Sequence, residues 1–332
     1  MKLAIVYNKN DHKLAPSSYS QTYRHMFDAL INKASAVQHV TESCSAEDIE
    51  ADIIVVFDTH STHHIVIDGL EKHSAIKYTY FNDPHQEEMR GRYLDGEEVY
   101  KLGAFQRTRR ALYRGIDFII CPYTDGYYKF IAPHLGNRAD KMFVWFPVAP
   151  KVQKFEDKRL VDRTQSVAAT GHLWAGRDGF RPYEFRAWAY SRKGIDVIKH
   201  CLSDVRTPKG NEFISMIAQW AGAFALTDNY VVPKYLEIPL AGCVCFAQPH
   251  EDYKKMGFKH KENCIIVDKE NFDKEISYFI NHVKEYQSLA NKGQDLILEN
   301  FTASHFADFI YNHCKDKVNN KTIPVENPSA SV

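Results

Sequence analysis

The sequence predicts an α/β protein of two domains, each a largely parallel sheet covered by helices, with a cleft between the domains. Short apolar runs alternate with amphipathic stretches along the chain. The 332 residues, 44% of them hydrophobic, are enough for two cores. A charged, irregular stretch after residue 150 separates two sets of apolar runs. We therefore predict one domain over 1–150, a second over 151–318 and a loose tail over 319–332.

Each predicted domain contains a set of apolar, β-branched runs that are typical of buried strands. In the first domain, helices are predicted over 19–33 and 103–115. The strands of the first domain are predicted at 2–7, 53–57, 76–81, 118–121 and 143–146. Those of the second are predicted at 167–170, 195–198, 222–226, 243–246 and 264–267. A final helical stretch is predicted over 272–306, with a break near Asn300, and continues to about His313.

The composition excludes several classes of protein. Lysine plus arginine and aspartate plus glutamate both total 42, so no bulk charge draws the chain to nucleic acid or anionic lipid. No apolar run approaches the length that spans a bilayer, and the start, MKLAIVYNKND, is unlike a signal peptide. The seven cysteines include no CxxC pair and are expected to be reduced. We therefore expect a cytoplasmic protein, with peripheral attachment to a membrane left open.

Parallel sheets bind ligands at the carboxyl ends of their strands, so polar residues just after strands are informative. After the strand GAFAL come TDNY and VVPKYLEIPLAG, in which Pro233 suits a first helical turn and Gly242 the residue past the helix end. Lys234 and Glu237, three residues apart, share a helix face. The backbone N–H groups of 230–232 are expected to bind a phosphate at the start of this helix. A carboxylate one turn further along can accept hydrogen bonds from the hydroxyl groups of a ribose. The alternative is a solvated Lys–Glu pair.

Further candidate donor contacts lie in the turn before this helix and after the strand VAAT. They are Thr227, Asn229 and Tyr230 in the turn, with Gly171 and His172 directly after the strand. A glycine there lets the backbone approach a ligand closely, and an arginine can hold a diphosphate through two hydrogen bonds. Arg177 or Arg181, in WAGRDGFRPYEFR, is the predicted phosphate ligand. The alternative is that Arg181 together with Glu184, or Arg186 alone, is an ordinary surface charge.

Two strand ends in the first domain carry groups suited to acid–base chemistry. VVFDTHSTHH places His60 after one strand, and YTYFNDPHQE places Asp83 and His85 after the next. An inverting transfer to a hydroxyl needs a base within hydrogen-bond reach of the acceptor, so these three are the predicted catalytic residues. The alternatives are that Asp83 forms a side-chain hydrogen bond within a turn, and that Asp58 or Thr59 caps a helix. His60 and His64 have no evident third ligand, so no metal site is predicted.

The run PKYLEIPLAGCVCFAQPHEDYKKMGFKHKENCIIVDKENFDKEISYFI places Lys234, Glu237 and Gly242 in the pattern K/R-x-x-E-x-x-x-x-G. In this it resembles the donor-binding domain of GT-B glycosyltransferases, particularly the CgeB-like, group 1 branch. The resemblance extends over roughly 166–310, and FVWFPVAP is similar to the segment that ends the first domain of these enzymes. It implies two Rossmann-like domains facing each other across a cleft. The chain departs from many group 1 enzymes in one respect, since only Asp228 is available as the acid upstream of Glu237.

The resemblance implies a metal-independent transfer of a sugar, such as a hexose, from a nucleotide-sugar donor to an acceptor hydroxyl, with Glu237 on the ribose. It implies a UDP- or GDP-sugar as donor and no cofactor, and the chain lacks a D-x-D motif. The acceptor is expected to be a glycan or another hydroxyl compound. A nucleic-acid acceptor stays open because FQRTRRALYRG carries Arg107, Arg109, Arg110 and Arg114. Also left open are a nucleotide-sugar epimerase or pyruvyl transferase of the same fold, and a non-catalytic two-lobed ligand-binding protein.

Overall fold

The computed structural model of the chain divides into two compact units. The first comprises the described residues of Met1–Pro16, Tyr23–Pro147 and Ser304–Asn327, and the second consists mainly of Val148–Ala303. Residues 92–94, 97–99 and 211 are described by their backbone alone. The structure describes residues 1–9, 14, 21–57, 65–81, 92–94, 97–99, 108–109, 111–112, 114–149, 159–171, 173, 183–198, 208, 211–228 and 230–319.

Strands and helices alternate regularly only in the second half of the described chain, from the strand Thr164–Ala169 onward. The strands are β1 (Lys2–Val6), β2 (Ala36–Val40), β3 (Cys44–Ser45), β4 (Ile53–Phe57), β5 (Ile67–Asp68), β6 (Ile76–Tyr80), β7 (Arg92–Leu94), β8 (Glu97–Val99), β9 (Phe118–Ile120), β10 (Phe143–Val144), β11 (Thr164–Ala169), β12 (Ile195–Val197), β13 (Trp220–Ala225), β14 (Val244–Ala247) and β15 (Ile265–Ile266). The helices are α1 (Thr22–Lys33), α2 (Thr124–Gly126), α3 (Ala139–Met142), α4 (Glu184–Tyr190), α5 (Asn211–Ile217), α6 (Lys234–Leu240), α7 (Glu251–Lys255), α8 (Phe272–Asn281), α9 (Gln287–Asn300) and α10 (Ala303–Val318).

The first unit is built on a six-stranded parallel sheet in the order β10–β9–β6–β4–β1–β2. Strand β4, near the centre of the sheet, is apolar on both faces, and every one of its residues is buried. Val6 of β1 lies opposite Val40 of β2 on one side and Val56 of β4 on the other. The five strands predicted for this half are confirmed. The edge strand β2 was not predicted, because Val40 is its one buried residue and the run lacks a strong apolar signal.

The last helix, α10, packs in the first unit. The Tyr311 hydroxyl donates to the carbonyl of Leu30 in α1 at 3.1 Å. The Tyr78 hydroxyl lies 2.7 Å from His313 Nδ1, and burial lowers the pKa of His313 to about 4, so a neutral ring accepts this bond. The predicted second domain, 151–318, therefore includes a helix that packs elsewhere. Sequence periodicity identifies the apolar face of a helix but not the sheet that this face covers.

The second unit contains a five-stranded parallel sheet in the order β12–β11–β13–β14–β15, and all five predicted strands are confirmed. Gly222 of β13 lies opposite Val167 of β11 and Val244 of β14. A side chain at Gly222 would come within 2.9 Å of the Phe246 ring and 3.1 Å of the Phe279 ring. Glycine in this strand therefore makes room for the aromatic core of the unit.

The helical stretch after β15 is divided in two places. The predicted break near Asn300 is confirmed, because α9 ends there and α10 begins at Ala303. A second break was not predicted: His282 leaves the helical conformation with φ −134°, and a 3-10 turn follows over Val283–Tyr286. Both end residues of that turn are buried in the core of the second unit. The helix is interrupted here because the turn packs its apolar side chains into the core.

Candidate functional site

Three neighbouring strands of the second unit end at the same edge of its sheet. Because β11, β13 and β14 run parallel and side by side, the residues that follow them come together. Those residues are Thr170 and Gly171 after β11, Thr227 and Asp228 after β13, and Gln248 after β14. Helix α6, which carries Lys234 and Glu237, follows β13. This edge of the sheet is the candidate site.

Lys234 is buried and reaches back to the end of β11. Its ammonium donates a hydrogen bond to the carbonyl of Thr170. Gly171 has φ +95°, and a Cβ at this position would collide with Lys234 Nζ. The local structure therefore requires a glycine next to the ammonium. The alternative of a solvated pair is wrong, because Lys234 and Glu237 are only 4% and 5% exposed.

Glu237 lies one turn along α6 from Lys234 and carries an unpaired polar atom. Within the described part of the chain, its Oε2 atom is buried without a hydrogen-bond partner. Burial raises the pKa of Glu237 to about 7, and the nearby charge of Lys234 opposes this rise. Buried polar atoms are normally hydrogen-bonded, so an acceptor in this state is suited to the hydroxyl groups of a ligand.

Arg186 is a second buried cation at this edge, and the interpretation of it as a surface charge is wrong. It is 3% exposed, its Nε donates to the carbonyl of Leu226 at 2.9 Å, and its guanidinium lies 3.9 Å from the centre of the Tyr183 ring. One of its terminal nitrogens would lie 3.5 Å from a Cβ at Gly171. The spacing in the sequence contained a signal for this burial. Arg186 stands three residues before Ala189, so both lie on the same face of α4, and that face is buried.

Side chains after β13 and β14 hold the loops of the site in place. Asp228 Oδ2 accepts from the backbone N–H of Glu184 at 2.8 Å, at the start of α4, and its Oδ1 accepts from Gln248 Nε2 at 2.7 Å. The Thr227 hydroxyl donates to the carbonyl of Tyr230. Asp228 thus acts as a loop anchor. The other amide atom of Gln248, Oε1, is buried without a partner among the described residues, and no sequence motif pointed to this residue.

Helix α6 begins later than predicted. Pro233 precedes its first residue, and the carbonyl of Val232 already accepts from the N–H of Tyr235 at 3.0 Å. The N–H groups of 230–232, predicted to seat a phosphate, therefore lie before the helix. The predicted end is confirmed, since Gly242 has φ +67° directly after the cap residue Ala241.

Several predicted site residues lie outside the described part of the chain, and their roles stay predictions. Those of the first domain are His60, Asp83 and His85, together with Arg107 and Arg110 of the basic segment. Those of the second domain are His172, Arg177, Arg181 and Asn229. The tail from residue 320 onward also lies outside the described residues.

The described residues contain no group of three or more histidine, cysteine, aspartate or glutamate side chains placed to hold a metal ion. Among the same residues, no helix combines the length and the apolar character that a membrane span requires. The described cysteines are free thiols, and all of them except Cys44 are buried.

Comparisons with known proteins agree with this description. The sequence model of a family described as glycosyl transferase-like matches residues 210–312, a segment that contains Lys234 and Glu237. Anabaena HepE, crystallised with UDP and glucose, superposes with a TM-score of 0.55 at 10% identity, over 95% of this chain and 99% of that one. AviGT4, a glycosyltransferase of avilamycin A biosynthesis, superposes with a TM-score of 0.53 at 8% identity, over 96% and 98% of the two chains. No curated protein sequence matches the chain.

At such low identity these structural similarities concern the fold. They confirm the predicted α/β fold class and the resemblance to GT-B glycosyltransferases. The matched segment begins before α5 and ends within α10, so it includes β13 and α6 of the candidate site, whereas β11 and α4, with Gly171 and Arg186, precede it.

Proposed function

We propose that this protein, whose fold is that of GT-B glycosyltransferases, moves a sugar from a nucleotide-sugar donor to an acceptor hydroxyl. The observation that carries the proposal is the Oε2 atom of Glu237, a buried acceptor that the described residues leave without a hydrogen-bond partner. It lies one turn from a buried lysine at the edge where parallel sheets bind ligands. A ligand with adjacent hydroxyl groups, such as a ribose, would satisfy it.

The ribose is the group that we assign to Glu237. A carboxylate accepts hydrogen bonds from two vicinal hydroxyls, and each bond to a charged group is worth about 1.5–3 kcal/mol. Glu237 is 5% exposed, so little water competes for its oxygens. We infer that Glu237 supplies a large share of the affinity for the nucleotide.

The diphosphate is the group that we assign to Lys234 and Arg186. Both side chains are buried and both approach Gly171, which concentrates positive charge at the end of β11. Such charge stabilises a diphosphate and also the negative charge that grows on the departing nucleotide. These cations supply the electrostatic stabilisation that a metal ion supplies in other enzymes, which supports a metal-independent reaction. Arg177 or Arg181 is proposed as a further phosphate ligand.

UDP is the nucleotide that we propose for the donor, with GDP as the alternative. HepE, which shares the fold, was crystallised with UDP and glucose and also with UDP-glucose. We propose a hexose as the transferred sugar on the same basis.

The acceptor belongs, in this proposal, to the first unit. Asp83, His85 or His60 would act as the base that takes the proton of the acceptor hydroxyl. A glycan is the proposed acceptor, and we place the reaction in the cytoplasm or at the membrane surface. A nucleic-acid acceptor would instead bind through the segment that includes Arg109 and Arg110, and Arg109→Ala with Arg110→Ala would then abolish salt-sensitive DNA binding.

The test is a thermal-shift panel of UDP, GDP, ADP, CMP and dTDP on the wild type, Glu237→Ala and Glu299→Ala. Glu299 is an exposed glutamate of α9 and serves as the matched control. We expect one nucleotide to raise the melting temperature of the wild type and of Glu299→Ala, and to raise that of Glu237→Ala much less. The absence of a shift with every nucleotide would contradict the proposal.

Turnover separates this function from an epimerase and from a binding protein. A transferase consumes the nucleotide sugar faster when an acceptor is present, whereas an epimerase converts it without any acceptor. A non-catalytic binding protein would show the thermal shift without consumption of the donor.

A further inference from the structure

The first turn of α4 is held at two points by the residues that follow β13. Asp228 Oδ2 accepts hydrogen bonds from the backbone N–H of Glu184 at 2.8 Å and from that of Phe185 at 3.4 Å. The carbonyl of Leu226 accepts from Arg186 Nε at 2.9 Å. Because both acceptors belong to one short stretch of chain at the sheet edge, they fix where α4 begins relative to that edge.

The position of the Arg186 guanidinium depends on this first turn. The guanidinium lies 3.9 Å from the centre of the Tyr183 ring, and Tyr183 immediately precedes α4. The Arg186 side chain is buried, and one of its terminal nitrogens lies 3.5 Å from the point that a Cβ at Gly171 would occupy. A shift of the first turn would therefore move the guanidinium relative to Gly171.

Asp228 is itself held by a residue of the neighbouring strand end. Its Oδ1 accepts from Gln248 Nε2 at 2.7 Å, and the backbone N–H of Gln248 donates to the carbonyl of Ala225 at 3.1 Å. A carboxylate only accepts hydrogen bonds, so the amide of Gln248 turns its nitrogen toward Asp228. Both carboxylate oxygens of Asp228 are thus bound by groups other than the Arg186 guanidinium. Asp228 holds the helix that carries Arg186 rather than the guanidinium itself.

The binding of a diphosphate by an arginine is sensitive to such a shift. The guanidinium donates paired, directional hydrogen bonds, and its planar shape fixes their geometry. A misplacement of about 1 Å is enough to remove a large part of the effect of a group that must be oriented in this way. The backbone hydrogen bonds that Asp228 accepts therefore control how well Arg186 can meet a diphosphate.

We propose that Asp228 is a positioning residue for the diphosphate of the donor, because it holds the first turn of α4 and so places the Arg186 guanidinium beside Gly171. The inference rests on the proposed function, in which Arg186 and Lys234 bind the diphosphate. Asp228 is also the acid that the chain offers upstream of Glu237 in the group 1 pattern. In this assignment it acts through Arg186 and makes no contact with the ligand.

The first measurement follows Arg186 in the protein without ligand. Exchange of its Nε–H proton with solvent, observed by NMR and assigned by its loss in Arg186→Lys, reports on the bond to the carbonyl of Leu226. We expect exchange to be about tenfold faster in Asp228→Ala than in the wild type, as the loss of a helix cap predicts. Asp228→Asn should keep the slow exchange. Its amide oxygen accepts from Glu184, and its NH₂ group donates to Oε1 of Gln248 once the Gln248 amide has turned over.

Three comparisons accompany this measurement. The Nε–H of Arg24, which donates to Asp28 in the first unit at 3.0 Å, should exchange at the same rate in every variant. Asp295→Ala removes an exposed carboxylate of α9 and should leave the Arg186 proton unchanged. Gln248→Leu removes only the donor that holds Asp228, so a smaller acceleration is expected. This variant retains the test if Asp228→Ala does not fold.

The second measurement asks whether the effect reaches the diphosphate. UDP, by calorimetry, and uridine, which lacks both phosphates, by ligand-observed NMR, are titrated against the wild type, Arg186→Gln, Asp228→Ala and the double variant. We expect Asp228→Ala to weaken UDP binding about tenfold and to leave uridine binding nearly unchanged. In the Arg186→Gln background the same substitution should have little further effect, because the residue that Asp228 positions is gone. Asp228→Asn should bind UDP as the wild type does.

Equal exchange of the Arg186 proton in the wild type and Asp228→Ala would overturn the proposal. Equal losses of UDP and uridine affinity, or a full further loss of UDP affinity in the Arg186→Gln background, would also overturn it, since Asp228 would then only stabilise the unit. A wild type that binds UDP no better than uridine, or binds neither, would contradict the proposed function instead. The exchange of the Arg186 proton would then decide alone whether Asp228 positions this arginine.

Discussion

Lys234 Nζ occupies the space that a side chain at Gly171 would fill. The ammonium donates to the neighbouring carbonyl of Thr170, and Gly171 adopts φ +95°, a conformation that residues with a side chain rarely reach. A glycine after β11 and a lysine at the start of α6, sixty-odd residues apart in the chain, thus form one structural element. This element brings a positive charge to the edge of the sheet where the donor is proposed to bind.

Gly171→Ala should displace the Lys234 ammonium and weaken nucleotide binding. The methyl group would force the flexible end of Lys234 away from Thr170, while the positive φ costs about 1–2 kcal/mol of stability. We expect lower stability in urea unfolding and about tenfold weaker binding of UDP by calorimetry.

Gly136→Ala is the matched control for this substitution. Gly136 has φ +56°, but no atom lies within 4 Å of the position that a Cβ would take there. The variant should therefore lose similar stability while its affinity for UDP stays unchanged. Equal losses of UDP affinity in the two variants would show that the contact between Gly171 and Lys234 has no part in binding.

Glu237→Gln should stabilise the protein at pH 8 but not at pH 4. Burial raises the pKa of Glu237 from its ordinary value of 4.5 to about 7. Well below pH 4.5 the carboxyl is protonated in both the folded and the unfolded chain, so Glu237 does not make the free energy of unfolding depend on pH there. As the pH rises from 4.5 to 7, the unfolded chain ionises first and folding loses free energy, about 3 kcal/mol in all. Glutamine cannot ionise, so the variant escapes this loss.

Urea unfolding of the wild type and Glu237→Gln at pH 4, 6 and 8 measures this effect. The difference in unfolding free energy between the two proteins should grow in favour of the variant across these three values. A difference that is the same at pH 4 and pH 8 would mean that Glu237 ionises normally in the folded chain.

Nucleotide affinity should rise with pH in a manner that depends on Glu237. The ionised carboxylate accepts hydrogen bonds from hydroxyls better than the protonated acid, so binding should release a proton below the pKa of about 7. The affinity for UDP should therefore increase between pH 6 and pH 8. The phosphate of UDP ionises in this pH range with either protein. The difference between the pH profiles of the wild type and Glu237→Gln, measured by calorimetric titration, therefore isolates the contribution of Glu237. Parallel pH profiles would contradict this prediction.

Asp228→Ala should destabilise the second unit through loss of a helix cap. Asp228 Oδ2 accepts from the backbone N–H of Glu184 at 2.8 Å, and its Oδ1 accepts from Gln248 at 2.7 Å. Removal of a capping carboxylate costs about 0.5–2 kcal/mol, and here the amide of Gln248 loses its partner as well. Urea unfolding should show this loss. Asp295→Ala, which changes an exposed aspartate of α9, is the control and should leave the stability unchanged. Equal stabilities would mean that the cap contributes nothing.

Local sequence signals were sufficient for the end of α6 and for the strands around it, although the helix begins later than predicted. A proline before the helix and Gly242 after it define the ends, and the spacing of Lys234 and Glu237 places both on one element. Runs of buried apolar residues identified the central strands of both sheets, because such strands are covered on both faces.

Contacts between distant segments could not be predicted in the same way. The burial of Arg186 depends on the carbonyl of Leu226, forty residues later in the chain. The assignment of α10 to the first unit depends on pairs such as Tyr78 with His313. Sequence spacing identifies a residue as charged or apolar, whereas its partner is set by the fold.

The most direct test of the central claim is a cycle of UDP and 2′,3′-dideoxy-UDP against the wild type and Glu237→Ala, measured by calorimetry at pH 8. If Glu237 binds the ribose, loss of the hydroxyls weakens binding to the wild type by at least about tenfold and changes binding to Glu237→Ala little. The same loss in both proteins would place the ribose elsewhere and contradict the role assigned to Glu237.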